Sequence, residues 1–193
     1  MAMTLWLVRH AQPLIAPGVC YGATDEPANE AATQTAARAL ALALPPGTCV
    51  MSSPLQRCER LMHAVQGLRP DLACRTGARL VEMDFGHWEG QRWDAIDRAE
   101  INAWTAEFET WRCGGGECVR DVMERVALAW DEALGENSGK PGVQAQANRR
   151  PTAWITHAGV IRAATLIAQG VRRVTDATQW PRDAPEFGQW WCR

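Results

Sequence analysis

At 193 residues, with 47% hydrophobic and 22% charged side chains, the chain has the size and apolar content of one globular domain with a sizeable core. A formal net charge of -2 and a pI near 6.1 argue against a general nucleic-acid binder, which carries a clear basic excess. The seven cysteines are odd in number and scattered, with no Cys-x-x-Cys pair. That argues against a zinc site or disulfide framework and for a reducing, cytoplasmic setting; no secretory leader and no apolar run approaching about 18 residues is seen, so no membrane contact is expected.

The first apolar run, Leu5 to Val8, reads as a buried strand of a parallel sheet that stops abruptly on Arg9 and His10. Open sheets of this kind bind ligands just beyond the carboxyl ends of their strands. Residues 12 to 27, with three prolines and two glycines, mark a long loop. Asn29 is the expected N-cap of a helix through Ala31 to Ala43, which Leu44-Pro45-Pro46-Gly47 ends. Thr48 to Ser52 reads as a second strand, turning at Ser53 directly into a helix that carries Arg57, with Pro54 suited to its first turn.

A short strand is expected around Leu72 to Arg75, followed by an acidic and aromatic loop from Arg79 to Gly90. Trp93, Ile96, Ile101, Trp104, Phe108 and Trp111 keep helical spacing, predicting one or two helices over the mouth of a site. Gly114-Gly115-Gly116 punctuate the chain before an amphipathic helix from Glu117 to Leu134, and a polar loop is expected over residues 135 to 151. Thr152 to Thr156 is a third apolar strand, ending in His157-Ala158-Gly159 before a helix over Val160 to Gln169. Phe187 to Trp191 reads as an edge strand.

If the three strands lie side by side, Arg9, His10, Arg57 and His157 converge. Arginine forks match phosphate oxygens and neutralise charge that develops during phosphoryl transfer. A neutral imidazole is a competent nucleophile towards phosphorus, and a carboxylic acid with a raised pKa could protonate the departing oxygen; Glu82, in its aromatic-flanked loop, is the candidate. Asp84 and Glu89 are alternatives for the acid, with hydrogen bonding within the turn the expected role of each. His63 and His87 are expected to be non-catalytic. Cys58 lacks a Cys-x5-Arg loop and reads as a small buried residue. The spacing of Trp93, Trp104 and Trp111 favours core packing over a ligand stack, and Glu117 is either a first-turn carboxylate or a pocket residue.

Leu7-Val8-Arg9-His10-Ala11, Ser53-Pro54-Leu55-Gln56-Arg57-Cys58, the block from Leu80 to Gly90 and Thr156-His157-Ala158-Gly159-Val160-Ile161-Arg162 together resemble the histidine phosphatase, or phosphoglycerate mutase-like, superfamily. The resemblance implies a three-layer α/β/α fold on a mostly parallel sheet, filling one domain over residues 1 to 193 with a helical cap-like segment around 92 to 118. It implies His10 as the nucleophile that becomes phosphohistidine, Arg9, Arg57 and His157 as the phosphate pocket, and Glu82 as the proton donor, with no metal or other cofactor. Gly22 and Glu117 are added as substrate-contact candidates. The chain departs from the family pattern at Leu61-Met62, where a Thr-Ala pair is usual, and at Ala158-Gly159, where two glycines are usual.

The resulting expectation is a phosphomonoesterase acting on a small phosphorylated metabolite. Residues 19 to 27, the block around Glu82 and residues 115 to 118 most resemble the α-ribazole phosphatase branch of cobalamin biosynthesis, making α-ribazole 5'-phosphate the named candidate. A phosphoglycerate mutase, a sugar-phosphate phosphatase and a non-catalytic phospho-ligand module are the alternatives. The oligomeric state stays open.

Overall fold

The computed structural model describes residues 4–135 and 150–193. The polar loop expected over 135 to 151 therefore lies outside the described residues except at its ends, where Gly135 closes the preceding helix in a left-handed turn at φ 76°.

Among the described residues, five strands form one sheet: β1 (Leu5–Arg9), β2 (Cys49–Ser52), β3 (Ala73–Thr76), β4 (Thr152–Thr156) and β5 (Trp190–Cys192), in the order β3-β2-β4-β1-β5. The first four are parallel, and β5 joins the β1 edge antiparallel. The α-helices described with them are α1 (Glu30–Ala43), α2 (Gln56–Leu68), α3 (Arg98–Ala106), α4 (Val119–Leu134) and α5 (Ala158–Ala168).

Alternation along the strands divides the core in two. Leu5, Leu7, Met51 and Trp154 pack with α4 and α5 residues such as Val122, Val126, Ile161 and Ala164. Val8, Val50, Ala153 and Ile155 point the other way, onto Ala37 and Leu40 of α1 and Leu61 and Val65 of α2. Both faces of the sheet are thus covered, giving the expected three-layer α/β/α arrangement. The alanine-rich face of α1 and the paired Leu61-Met62 of α2 lie in this second cluster, so Leu61 and Met62 fill core volume.

Several boundaries differ from those the sequence suggests. Asn29 caps α1, accepting a 2.9 Å hydrogen bond from the Ala32 N–H, as expected. Pro54, by contrast, stays outside α2: Leu55 is its N-cap, with extended backbone at ψ 135°. The aromatic run from 93 to 111 forms only the nine-residue α3, because Asp97 caps it at the Ala99 N–H and leaves Trp93 in the preceding turn. Helix α4 begins at Val119, so Glu117 precedes even its N-cap, Cys118, and Asp121 is the acid in the first turn. The edge strand begins only at Trp190, since Gly188 turns at φ 75° and donates its N–H to the Arg9 and His10 carbonyls.

The glycines 114 to 116 are a packing device. The turn 84–88 runs so close that a β-carbon on Gly86 would lie 2.1 Å from the Gly114 carbonyl oxygen, and one on Gly114 would lie 2.1 Å from that of Phe85. Trp154, fully buried on the central strand, carries much of the larger core. Trp154→Ala is expected to cost about 3–5 kcal/mol of stability, read as a lowered urea midpoint.

Candidate active site

Strands β2, β4 and β1 are consecutive and parallel, so their carboxyl ends open on one edge. The ladder continues one residue further: the His10 N–H donates to the Thr156 carbonyl at 3.0 Å and the Ser53 N–H to that of Ile155 at 2.9 Å. His10, His157 and Ser53 therefore leave the sheet as neighbours, with His157 in the middle.

His10 is 2% exposed, and its Nδ1 lies 2.7 Å from its neighbour's carbonyl, Ala11 O. A carbonyl only accepts, so Nδ1 carries the proton and Nε2 keeps its lone pair. Burial, reinforced by the Arg57 and Arg9 charges, pushes the imidazole pKa down to about 3, against the pull of the Ala11 hydrogen bond. At neutral pH this is an uncharged ring of fixed tautomer.

The same logic applies to His157, 1% exposed, whose ring centroid lies 5.2 Å from that of His10. Arg57 Nε donates to its Nδ1 at 3.3 Å, so the proton sits on Nε2, 2.9 Å from Ser53 Oγ. Burial and then the neighbouring His10 and Arg57 hold its pKa well below the usual histidine value. Cys58 Sγ lies 3.5 Å from the same Nε2 and donates to the Thr156 carbonyl. Burial pushes its thiol pKa above the usual range, in keeping with a small buried residue.

Arg57 is fully buried. Besides His157, it donates Nη1–H to the Thr24 carbonyl and Nη2–H to that of Gly22, both at 2.7 Å. Of the five N–H groups of a guanidinium, one on each Nη remains for a ligand. Arg9, half-buried, donates Nη1–H to the Pro185 carbonyl at 3.0 Å and lies 3.8 Å over the Phe187 ring, while its buried Nε has no hydrogen-bond partner among the described residues. Phe187 also packs on His10, with centroids 5.4 Å apart.

Glu82 joins this group from the other side. Its carboxylate accepts the Met83 N–H at 3.1 Å and the Gly159 N–H, in the first turn of α5, at 3.0 Å. A β-carbon on Gly159 would stand 2.3 Å from Glu82 Oε1, which explains why this second position after His157 is glycine, whereas Ala158 is tolerated before it.

Gly22 contributes its carbonyl to Arg57, and the loop approaches its neighbour so closely that a β-carbon there would fall 1.8 Å from the Met83 carbonyl oxygen. Glu89 organises this contact, accepting from the Ala23, Thr24 and Phe85 N–H groups and from the Thr24 hydroxyl. Asp25 ties the loop to α2 through the Gln56 N–H at 2.7 Å, and Asp84 caps the Gly86 N–H at 2.8 Å. Both Glu117 oxygens are engaged within the protein, by a forked ion pair to Arg125 at 2.8 and 2.9 Å and by the Asp84 N–H. No bond links Glu117 to His10, His157 or Arg57 among the described residues, so it is anchored to the 84–88 turn.

Ser53, Phe187 and the single tyrosine, Tyr21, whose ring lies 5.4 Å from the Arg57 guanidinium carbon, are site residues that the sequence reading does not single out. Ser53 opens the Ser-Pro-Leu-Gln-Arg motif, which is a signal that could have found it; Phe187 enters from the far end of the chain with no local signal. His63 is exposed, and His87 bonds Gly114 O and pairs with Glu100. Trp104 stacks on Phe108 at 5.6 Å and meets Trp88 and Phe85 edge-on, a mutual aromatic cluster, while Trp93 is 38% exposed beside Phe85. Among the described residues, no group of three or more His, Cys, Asp or Glu is placed to hold a metal ion, and no helix is long and apolar enough to cross a membrane.

A family profile described as the histidine phosphatase superfamily (branch 1) matches residues 5–178. No curated protein matches the chain. Among solved structures, the native mycobacterial glucosyl-3-phosphoglycerate phosphatase Rv2419c is 25% identical, with a TM-score of 0.67, 86% of this chain covered and 78% of that one. The same enzyme in complex with inorganic phosphate aligns at 26% identity and a TM-score of 0.67, covering 86% of this chain and 78% of the other. TTHB049 from Thermus thermophilus is 31% identical, with a TM-score of 0.62, covering 87% and 85% of the two chains.

Because both buried imidazoles titrate below their unfolded value, the unfolded chain binds protons that the folded chain does not. Their contribution to stability is full above about pH 6.5 and is lost as pH falls, for His10 towards about 3, at up to about 1.4 kcal/mol per unit for each ring. Urea unfolding of His10→Asn should show a shallower loss between about pH 6.5 and 4 than the parent. Gly159→Ala should displace Glu82 and lower kcat by about 10²-fold or more on a phosphomonoester while leaving the fold intact by circular dichroism.

Proposed function

The chain belongs to the histidine phosphatase superfamily, branch 1, and on that premise we propose that it is a phosphomonoesterase working through a phosphohistidine on His10. The observation that carries the reading is the neutral, tautomer-fixed His10 ring, with its Nε2 lone pair free and two arginines beside it.

In the first step the Nε2 lone pair attacks phosphorus, an N–P bond forms and the P–O bond to the leaving group breaks. Glu82, as general acid, passes a proton to the departing oxygen, so that an alcohol leaves. The free N–H groups of Arg57 and Arg9 bind the phosphoryl oxygens as charge redistributes. His157 Nε2–H joins them by exchanging Ser53 for a phosphoryl oxygen. In the second step Glu82, now a carboxylate, takes a proton from water, whose oxygen attacks the phosphorus; the N–P bond breaks and inorganic phosphate is released. His10 and Glu82 return to their starting states.

The substrate is a small phosphorylated metabolite, in line with the phosphate complex of the mycobacterial relative. That relative's activity towards glucosyl-3-phosphoglycerate places sugar phosphates and phosphorylated hydroxy acids among the candidates. The α-ribazole 5'-phosphate candidate rests on the resemblance of its loops alone. Gly22 and Glu117 act here through the loops they hold, and residues 92 to 118 remain the proposed cap that reads the rest of the substrate.

His10→Ala is expected to reduce hydrolysis by at least about 10⁴-fold across a panel of sugar phosphates, phosphoglycerates, nucleotides and α-ribazole phosphate. Rapid quenching with labelled substrate should trap label on the parent protein that survives base and is lost in acid, the behaviour of a phosphoramidate. Full activity in His10→Ala would refute the assignment.

A further inference from the structure

Arg162 is outside the set of residues used above, yet its charge is coupled to Glu82 and Arg9 of the same site. It lies one helical turn beyond Gly159, on the same face of α5, and side chains on a helix lean back over the preceding turn. There the missing β-carbon of Gly159 makes room for the Glu82 carboxylate. Arg162 Nη2 donates to the Arg182 carbonyl at 2.9 Å, much as Arg9 Nη1 donates to that of Pro185 at 3.0 Å, so one C-terminal segment steadies both guanidinium groups.

Each of these arginines retains a buried Nε without a hydrogen-bond partner among the described residues. Neither makes an ion pair among the described residues, whereas Arg120, Arg125 and Arg173 are neutralised by Glu109 or Glu117. Half-burial lowers the Arg162 pKa first, with the Arg9 charge acting the same way and Glu82 and the exposed Asp183 acting against it. The guanidinium is thus coupled electrostatically to the proposed proton donor, the group that would meet the leaving oxygen, with donor capacity unspent.

We infer that Arg162 is a specificity-determining residue that binds a second anionic group, a carboxylate or another phosphate, carried by the leaving-group half of the substrate. This rests on the hydrolase reading and narrows its substrate class to phosphomonoesters with a further acidic group. A neutral alcohol half would leave a half-buried cation unpaired, whereas an anion there makes a charge-assisted hydrogen bond.

The test compares kcat/KM within two matched pairs: 3-phosphoglycerate against glycerol 3-phosphate for a carboxylate, and fructose 1,6-bisphosphate against fructose 6-phosphate for a phosphate. The parent protein is expected to favour the doubly acidic member of at least one pair by about tenfold or more. Arg162→Gln should reduce that ratio to within about threefold, chiefly through KM, and Arg162→Lys should retain part of it. The inference is overturned by a parent protein that prefers neither acidic member, which needs no variant, or by an Arg162→Gln protein that keeps the ratio. Failure of the hydrolase reading looks different, with no phosphate released from any of the four or from p-nitrophenyl phosphate. Isothermal titration with the same pairs then reads the preference, and equal affinity overturns it.

Discussion

The site depends on a buried guanidinium that is held by dipoles instead of by a carboxylate. Arg57 is fully buried and hydrogen-bonded to two loop carbonyls and one imidazole, and it makes no ion pair among the described residues. A charge in such surroundings is costly unless its remaining donors find partners, and a dianionic phosphoryl group is the natural one. The carbonyls of Gly22 and Thr24 aim the fork, and Glu89 and Asp25 in turn hold the loop that presents them. The long loop after His10 is therefore shaped by a requirement of the pocket, with its end tied at several points to α2 and to the 84–89 turn.

The same positive charge accounts for the state of the imidazoles. Burial alone disfavours their protonation, and two arginines close by add to it, so His10 and His157 stay neutral where an exposed histidine would titrate. Neutrality is what a nucleophilic nitrogen needs. The tautomers follow from partners that can play only one role: the Ala11 carbonyl accepts and Arg57 Nε donates. Backbone geometry beside the ring thus decides which nitrogen of His10 keeps its lone pair.

On the opposite wall, Glu82 is positioned by an absence. Its carboxylate reaches the first turn of α5 because Gly159 has no β-carbon, and Arg162, one turn further on along the same helix face, is coupled to it electrostatically. The proposed acid, the proposed receptor for a second anion and the proposed phosphate pocket are therefore joined through one short helix that starts at His157.

Much of this was legible in the sequence, for a physical reason. Strands buried on both faces read as unbroken apolar runs, and polar residues stationed at their ends, Arg9-His10 and His157, stand out against them. Those runs pointed to a parallel sheet with His10, Arg57 and His157 at its carboxyl edge, and the family resemblance carried by the four motifs implied the three-layer fold and Glu82 as the proton donor. Contacts made across the chain could not be read that way. The order β2-β4-β1 that sets the histidines 5.2 Å apart, the arrival of Phe187 from the C-terminal turn onto Arg9 and the capture of Glu117 by Arg125 depend on packing between segments far apart in sequence. The tautomers, the protonation states and the unspent donors of Arg9 and Arg162 likewise exist only once burial and partners are set, because each is a property of surroundings and not of a residue type.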